Sequence, residues 1–316
     1  MSRYKIQPID FTGLKTISLA ARGGKVRVED FAASYRKGGG IGGWLESLPK
    51  ILAGESFRAV VDALGKARAS GKAIVWGLGG HVIKCGLAPV LIDLMERRYA
   101  TAFAMNGSAA IHDFEIALAG HTSEDVEAVL PDGSFGTAEE TGREMNQAIA
   151  CGARDGIGIG EALGRALENT PHAAQSLVAA AYQRTVPVTV HVAMGTDTPH
   201  THPAAQPAAI GSATHHDFRL FCSLVAGLHD GGVYLNVGSA VVMPEVFLKA
   251  ISAVRNLGHP LANFTTVNLD FLQHYRPRVN VVERPHAKSG GRGYALTGHH
   301  ELIVPLLAAA LIENER

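Results

Sequence analysis

Residues Lys72–Gly86 read KAIVWGLGGHVIKCG, an apolar run that leads into a glycine-rich turn and then into a segment with helical spacing that ends near Arg98. We interpret this order as a buried strand, a tight turn and the start of a helix. Glycines let a ligand approach the backbone, and the free N–H groups and dipole of a helix start attract anions. The stretch therefore predicts a phosphate-binding turn. Its glycine spacing differs from GxGxxG, so a purely structural turn is the alternative.

Short apolar runs, each followed by a segment with helical spacing, repeat along the chain as AIVWGL, ATAFAMN, VPVTVHVAM, VYLNVGSAVV and FTTVNLD. Strands that alternate with helices form right-handed βαβ units and a parallel sheet. The predicted fold class is therefore α/β, a Rossmann-like, mainly parallel sheet with helices on both faces. Ligands bind at the carboxyl ends of such strands. The loops predicted to share this rim follow Trp76, Asn106, Met194, Val237 and Asn268.

The first 70 residues show too little apolar periodicity to build a core of their own. They contain a glycine cluster at Gly38–Gly43 and a helix-like segment at Gly54–Ser70. We therefore divide the chain into an N-terminal arm or helical extension, residues 1–70, and a single α/β domain, residues 71–316. Within the domain, Thr122–Glu168 is predicted to be helical, with a break at Pro131–Gly136.

Charge and cysteine content exclude several classes of partner. The 316 residues include 29 basic and 29 acidic side chains, which gives no general attraction to nucleic acid or to anionic membranes. The apolar runs are too short to span a bilayer, and the N-terminal MSRYKIQPID lacks an apolar signal region. Cys85, Cys151 and Cys222 form no CxxC pair, which favours a reducing compartment. We expect a cytoplasmic protein with a small-molecule partner, and neither a nucleic-acid nor a membrane partner.

Titratable side chains follow the second predicted strand, in MNGSAAIHDFEIAL at Met105–Leu118. His112, Asp113 and Glu115 enter a helix there. Such groups can act as an acid, a base or an anchor for an amine, and the helix dipole favours the ionised carboxylate. Helix capping or solvation is the alternative for both acidic residues.

The third predicted strand is followed by AMGTDTPHTHP, Ala193–Pro203. Asp197 directly after a parallel strand is suited to accept hydrogen bonds from ribose hydroxyls. His200 and His202 could ligate a metal ion together with His215, because imidazoles at alternate positions of an extended segment point to one side. The alternative is a loop of partly solvated histidines, one of which transfers a proton.

The C-terminal third carries charged groups near two further turns. In VYLNVGSAVVMPEVFLKA, Val233–Ala250, Glu245 could bind a cationic ligand or serve as a partner of the helix dipole. Clustered arginines further on suggest an anionic substrate group or, equally, a basic loop at a subunit interface. These arginines are Arg276, Arg278, Arg284 and Arg292.

The order of these motifs resembles the deoxyhypusine synthase family over about Lys72–Asp270. The motifs are the glycine turn with its IKCG helix, MNGSAAIHDFEIAL, a strand ending in TD, a helix headed by histidines, YLNVGSAVV and a strand ending in NLD. The resemblance implies a Rossmann-like fold, NAD as the cofactor and a homotetramer with shared active sites. It also implies oxidation and cleavage of spermidine, with transfer of the aminobutyl group through an imine on a lysine to a translation factor.

The resemblance implies roles for individual residues. His215 or His216 matches the histidine that touches the substrate, and we add Asp113 as an alternative base. Predicted substrate contacts come from His112, Gly238, Ser239 and Glu245. Predicted NAD contacts come from Gly79, Gly80, His81, Val82, Ile83, Lys84, Met105, Asn106, Gly107, Asp197, Asn268 and Leu269.

Two departures change the predicted reaction. Met243 stands where the family has its imine-forming lysine, and a thioether cannot form an imine. Ile111 and His112 replace acidic residues that hold the polyamine. We therefore predict an NAD-dependent, transferase-like enzyme that oxidises an amine or a related small substrate and then transfers or eliminates a group, without making deoxyhypusine. An anionic metabolite is the other substrate class considered, and no metal is assigned. The alternatives are a non-catalytic NAD-binding protein and a metal-dependent hydrolase that uses His200, His202 and His215.

Overall fold

A single parallel sheet organises the computed structural model, which describes residues 3–315. Its strands are β1 Ile74–Leu78, β2 Ala102–Asn106, β3 Val188–His191, β4 Val233–Val237, β5 Thr265–Asp270 and β6 Arg292–Thr297. They lie in the order β3-β2-β1-β4-β5-β6, and every neighbouring pair is parallel. The predicted Rossmann-like sheet is thus confirmed. The strand order reverses between β1 and β4, where such sheets form a ligand-binding crevice.

Helices connect the strands and cover both faces of the sheet. They are α1 Gly40–Ser47, α2 Leu52–Ala69, α3 Gly80–Lys84, α4 Ala88–Glu96, α5 Gly107–Ala119, α6 Val126–Val129, α7 Glu139–Asp155, α8 Ile159–Leu167, α9 Leu177–Gln183, α10 Pro207–Ala226, α11 Val242–Asn256, α12 Tyr275–Pro277 and α13 His300–Glu313. A π-helical segment, Arg278–Glu283, follows α12. Within residues 3–315, no helix combines the length and apolar character needed to cross a bilayer.

Side chains along each strand alternate between two apolar cores, one on each face of the sheet. Ile74, Trp76 and Leu78 of β1 belong to a large core that also contains residues of α2, α4, α5, α9 and α13. Val75 belongs to a smaller core with residues of α10 and α11. All five residues of β1 are buried, as expected for a central strand of a parallel sheet.

Helix α2 is part of the large core. Phe57, Val60 and Leu64 are buried there, on the apolar face of the helix. The predicted boundary at residue 70 therefore falls inside the packed unit, and only residues 3–39 form an extended, almost wholly exposed arm. Residues 1, 2 and 316, at the outer ends of the two predicted segments, lie outside the described residues.

The helix predicted to run from the glycine turn to Arg98 is divided into two. Gly86 adopts a φ of +74°, a left-handed conformation that interrupts the helix between α3 and α4. Pro89 in the first turn of α4 favours a new start there. The short α3 can consequently point in a direction different from that of α4.

Helix α10 covers the outer edge of β3, the strand at one end of the sheet. The carboxylate of Asp217 accepts hydrogen bonds from the backbone N–H of Val190 at 2.8 Å and of Gly160 at 3.0 Å. The Thr214 hydroxyl accepts another from the N–H of Val192. Because exposed edge N–H groups invite pairing with other chains, these bonds close one edge of the sheet.

Candidate functional site

Two glycine turns meet where the strand order reverses. Gly79 follows β1 and Gly238 follows β4, and a Cβ atom at Gly79 would lie 2.0 Å from the carbonyl oxygen of Gly238. Gly238 also has a φ of +67°, which side chains with a Cβ rarely adopt. The two turns therefore form the floor of the crevice by direct contact with each other.

Two more glycines bring α3, α5 and the loop after β3 together. A Cβ atom at Gly80 would lie 2.2 Å from the Ser108 hydroxyl oxygen, and one at Gly107 would lie 2.0 Å from Oδ2 of Asp197. Neither position has room for a side chain. The structure thus places three of the predicted cofactor segments side by side, at the carboxyl ends of β1, β2 and β3.

A cavity of about 220 Å³ lies between these segments. Lys84, Ser108, His112, Glu115 and Asp197 are among its lining residues. The volume is below the roughly 300–1,000 Å³ of most ligand pockets. The cavity therefore suits a small substrate or one part of a dinucleotide, and the rest of a dinucleotide must lie along the open crevice.

The cavity adjoins a larger, acidic groove of about 720 Å³. Glu115 and Glu124 line both spaces, and Glu140 and Glu144 line the groove. Clustered carboxylates create a negative potential that raises the local concentration of cations. The groove therefore favours a substrate with a positive charge.

His112, Thr122 and Glu115 form a hydrogen-bonded chain at the cavity. Nδ1 of His112 lies 2.8 Å from the Thr122 hydroxyl oxygen, and that hydroxyl donates to Oε2 of Glu115. Since a hydroxyl has a single proton to donate, it must accept from His112, which assigns the ring proton to Nδ1. Burial lowers the pKa of His112, although Glu115 opposes this effect. His112 is thus a neutral imidazole whose Nε2 can accept a proton.

Asp197 presents a carboxylate oxygen with an unused hydrogen-bonding capacity. Its side chain is 11% exposed, and Oδ2 has no hydrogen-bond partner among the described residues. Nε2 of His200 is 3.9 Å from this oxygen, and burial raises the pKa of the carboxyl group. Buried polar atoms are normally hydrogen-bonded, so this oxygen marks a place for an external donor.

The remaining residues predicted to contact the cofactor offer fewer side-chain groups to a ligand. The side chains of Val82, Ile83, Met105 and Leu269 are buried in the large core, so only their backbone could contact a ligand. Asn106 caps α5 by accepting a hydrogen bond from the N–H of Ala109 at 2.9 Å.

Asn268 belongs to a buried amide network at the ends of β4 and β5. It accepts a hydrogen bond from Asn236 at 2.7 Å and donates one to Gln273 at 2.7 Å. Both groups of its amide thus have protein partners. His81, in contrast to the buried Val82 and Ile83 of the same helix, is exposed.

Asp113, predicted as an alternative base, has a structural role. It is fully buried and accepts hydrogen bonds from the Ser176 hydroxyl at 2.5 Å and from the N–H groups of Leu177 and Val178 at 2.8 and 3.0 Å. Burial raises its pKa to about 6 despite these bonds. Because the carboxylate faces the start of α9 inside the core, we correct its role from base to helix cap.

The predicted catalytic histidines of α10 do not line the cavity. His215 is exposed and His216 is half-buried, and neither is among the lining residues. His112, predicted as a substrate contact, does line the cavity.

The metal site of the alternative hydrolase, which would use His200, His202 and His215, is not assembled. Nδ1 of His200 accepts hydrogen bonds from the N–H groups of Gly195 and Asp197, whereas Nε2 of His202 lies 3.1 Å from Oε2 of Glu139. His215 is exposed on α10. Within residues 3–315, these three side chains are not among the groups of metal-binding donors that lie close together.

Glu245, predicted to bind a cationic substrate, already has cationic partners. It pairs with Lys249 one helical turn away and lies 3.2 Å from Nε of Arg276. The hydrogen bond from Lys249 is the main cause of its lowered pKa. Its charge is neutralised within the chain, so we correct its role to that of a structural ion-pair partner.

The predicted anion-binding arginines also have internal partners. Arg276 pairs with Glu245, Arg278 pairs with Glu283, Arg284 donates to Asn280, and Arg292 lies over the ring of Tyr294. They form no common anion site.

Met243 is fully buried in the smaller core, which also contains Tyr234 and Phe247. Its N–H donates to the hydroxyl of Ser239, which is itself buried and was predicted to contact the substrate. The side chain that replaces the family's lysine therefore packs in an apolar environment, away from the cavity.

Sequence reasoning missed two residues beside Gly238. His300, at the start of α13, is buried, and its Nε2 is 3.7 Å from Oδ1 of Asp270. Nδ1 of His300 has no hydrogen-bond partner within residues 3–315. The pair HH at 299–300 is visible in the sequence, but no spacing relates it to the glycine turn.

Comparisons with known proteins identify the fold. No protein-family profile and no curated protein matches the sequence significantly. The crystal structure of AgrE with ornithine and NAD+ matches 83% of this chain at 17% identity with a TM-score of 0.53. A conserved candidate LOR/SDH protein from Methanococcus maripaludis S2 matches 84% of this chain at 15% identity, with a TM-score of 0.50 and 71% of its own length covered.

A candidate deoxyhypusine synthase from Entamoeba histolytica matches 90% of this chain and 96% of its own, at 11% identity and a TM-score of 0.50. The match to AgrE, in contrast, spans only 34% of that protein, so this chain corresponds to about a third of AgrE. At these identities the similarities show the fold. The predicted resemblance to deoxyhypusine synthase is confirmed at that level.

Proposed function

We propose that this chain is an NAD-dependent enzyme that oxidises a small amine at the carbon bearing the nitrogen. The observation that carries the proposal is the cavity shared by Lys84, Asp197 and the chain of His112, Thr122 and Glu115. At one rim of the sheet, the cavity combines Lys84 next to the glycine turn, the unpartnered acceptor oxygen of Asp197 and the neutral imidazole of His112.

The residues present fit a dinucleotide in several respects. The strand order is that of dinucleotide-binding sheets. Asp197, in the loop after β3, lies against Gly107 at the end of β2, and its Oδ2 has no hydrogen-bond partner among the described residues, a place that a ribose hydroxyl would fill. Gly79, Gly80 and Gly107 keep the rim free of side chains. NAD, when bound, accepts a hydride from the substrate carbon. The crystal structure of AgrE with ornithine and NAD+, which shares the fold, supports this cofactor.

The acidic groove supports an amine as the substrate. An ammonium group would be attracted by Glu115, Glu124 and Glu140, whereas Glu144 already pairs with Arg143 at 3.2 Å. These carboxylates offset the loss of acidic groups at Ile111 and His112. The four C-terminal arginines predicted to bind an anion have internal partners and form no common site, so the amine is the favoured class.

His112 serves as the base in this proposal. Its Nε2 takes a proton from the substrate ammonium, which frees the nitrogen lone pair to form the C=N bond as the hydride leaves carbon. Thr122 and Glu115 stabilise the resulting imidazolium through the hydrogen bond at Nδ1. Met243 cannot form an imine, so the following transfer or elimination proceeds without a covalent link at that position.

We test the proposal by following NADH absorbance with a panel of small primary amines and diamines, including ornithine and spermidine. We expect sustained NADH formation with at least one amine, loss of turnover in His112→Gln, and retained turnover in the control His216→Gln. NADH binding by His112→Gln, measured by fluorescence, shows that the variant is folded. NAD binding without turnover of any amine would favour a non-catalytic NAD-binding protein. Loss of turnover in His216→Gln but not in His112→Gln would show that the base is His216 of α10.

A further inference from the structure

Three side chains of different donor chemistry meet beside the crevice, near the ends of β4 and β5. They are His81 and Cys85, at the two ends of α3, and Glu301 in the first turn of α13. One possible ligand atom from each lies within 4.8 Å of those of the other two. Cys85 Sγ is 3.7 Å from Oε2 of Glu301. His81 and Glu301 are exposed and Cys85 is half-buried, so an ion from solution can reach them.

The backbone holds these side chains in position. His81 and Cys85 are four residues apart, so they share one face of the helix. Val82 and Ile83 anchor α3 in the large core, and the left-handed Gly86 ends the helix directly after Cys85. Helix α13 is anchored by its own buried residues, among them Val304 and Leu307. The arrangement therefore joins two fixed helices and does not depend on a mobile loop.

Thiolate, imidazole and carboxylate are the ligand types that bind zinc in proteins. Bond lengths of about 2.0–2.3 Å around a tetrahedral ion place neighbouring ligand atoms roughly 3.3–3.8 Å apart. The sulfur–oxygen distance already lies in this range, and rotamer changes of the exposed His81 and Glu301 can shorten the others. A thiolate and a carboxylate also neutralise a divalent ion. A hard ion such as Mg²⁺ prefers oxygen ligands alone.

Further imidazoles surround the three donors. Nδ1 of His299 is 3.8 Å from Oε1 of Glu301, so this ring could orient the carboxylate or supply a fourth ligand. The ring of His300 lies 5.5 Å from that of His81, centroid to centroid. Its Nδ1 is one of the buried polar atoms without a partner among the described residues.

We propose that His81, Cys85 and Glu301 bind a zinc ion, which links α3 to α13 at the edge of the crevice. The site is distinct from the histidine site after β3 that the alternative hydrolase would use, and the chemistry of the proposed amine oxidation does not require it. Its fourth position is open to water or to His299. The ion would fix the helix that carries the glycine turn relative to α13.

The test uses the full chain without an affinity tag, stripped with a chelator and titrated with Co²⁺ and then Zn²⁺. We expect one cobalt ion per chain with a thiolate-to-cobalt charge-transfer band, and displacement of that ion by zinc. Cys85→Ser should abolish the band, and Glu301→Gln should weaken binding by about tenfold or more, since even residues behind the ligands contribute this much. Cys222→Ser, which changes the half-buried cysteine of α10, is the matched control and should retain the band.

Circular dichroism of Glu301→Gln, a change at an exposed position, checks that lost binding does not reflect unfolding. A titration without the charge-transfer band, or a band unchanged in Cys85→Ser, would overturn the assignment. NADH formation is measured on the same stripped protein. A cobalt band in a protein without amine oxidation would refute only the proposed function, and turnover without metal binding would refute only the zinc site.

Discussion

His112 is the side chain on which the proposed chemistry most depends. Its hydrogen bond to Thr122 leaves Nε2 without a proton, and burial favours the neutral ring. The sequence indicated a titratable group at this position, but not its partner, because Thr122 lies after the end of α5. A role as base therefore required the structure.

The lowered pKa of His112 has a direct consequence for the pH dependence of turnover. A base acts in its unprotonated form, which predominates above its pKa, so activity falls only as the pH falls through that value. Because burial lowers this pKa below the ordinary 6.5, kcat/KM for an amine substrate should stay high at pH 6.5 and decline at more acidic pH. A pH profile checks this on the acid side. A decline that is already half complete above pH 7 would contradict it.

Met243 allows a second prediction about a single side chain. Met243→Lys should not restore an imine-forming enzyme, because the position faces an apolar core. Burying an ammonium there costs roughly 4 kcal/mol, equivalent to a shift of about three pKa units. Met243→Leu is the matched control, with an expected loss below about 1.5 kcal/mol.

Urea unfolding measures both variants of Met243, and borohydride reduction in the presence of an amino-aldehyde tests for the adduct. A trapped adduct on a stable Met243→Lys protein would show that this position reaches the substrate after all.

The contact between α5 and α9 depends on Asp113. Removing its carboxylate leaves a buried hydroxyl and two buried N–H groups without their acceptor. Each such loss costs about 1–3 kcal/mol, so Asp113→Ala should lower the free energy of unfolding by roughly 3 kcal/mol or more. Asp125 caps the exposed α6, and Asp125→Ala should cost only about 1 kcal/mol. If urea unfolding showed that Asp113→Ala and Asp125→Ala lose the same free energy of unfolding, the structural role assigned to Asp113 would be contradicted.

Elements with a strong local pattern could be predicted from the sequence. The runs that form β1 to β5 are apolar because both faces of the sheet are covered, and α2 corresponds to the helix-like segment predicted at Gly54–Ser70. Strand β6, RGYALT, was missed because it lies at the sheet edge with only Leu296 buried. Capping was the alternative given for Asp113, but the helix that it caps could not be predicted because its partners, residues 176–178, lie in a distant part of the chain.

Part of the candidate site could also be predicted from the sequence. Loops after parallel strands must share one rim, so Asp197, Gly107 and Lys84 could be expected near one another. Which side chains point into the cavity depends on helix rotation and on long-range contacts. These place His112 at the cavity and leave His215 exposed on α10.

The exposed arm, residues 3–39, suggests an interface with a second copy of the chain. Its large apolar side chains include Ile6, Phe11, Leu14, Ile17 and Phe31, each more than 60% exposed. Exposed apolar surface of this extent is typical of a contact with another protein. We propose self-association, with the homotetramer implied by the sequence resemblance as the expected form.

Deleting residues 3–36 should reduce the size of the assembly, because it removes these side chains and leaves the packed helices intact. Light scattering after size-exclusion chromatography measures the mass of both proteins. A monomeric full-length chain, or an assembly of unchanged stoichiometry after the deletion, would contradict the proposal. Circular dichroism checks that the shortened chain remains folded.

The affinity for NAD depends on the sheet, the glycine turns and the cavity together, so one binding measurement tests all three. We would titrate the purified, dialysed protein with NAD in a calorimeter, at two temperatures, beside the isosteric variant Asp197→Asn. We predict saturable binding near one site per chain, weakened by roughly tenfold or more in the variant, since a hydrogen bond to a charged group contributes about 1.5–3 kcal/mol. No binding at millimolar NAD, or equal affinity of the two proteins, would contradict the proposed cofactor site.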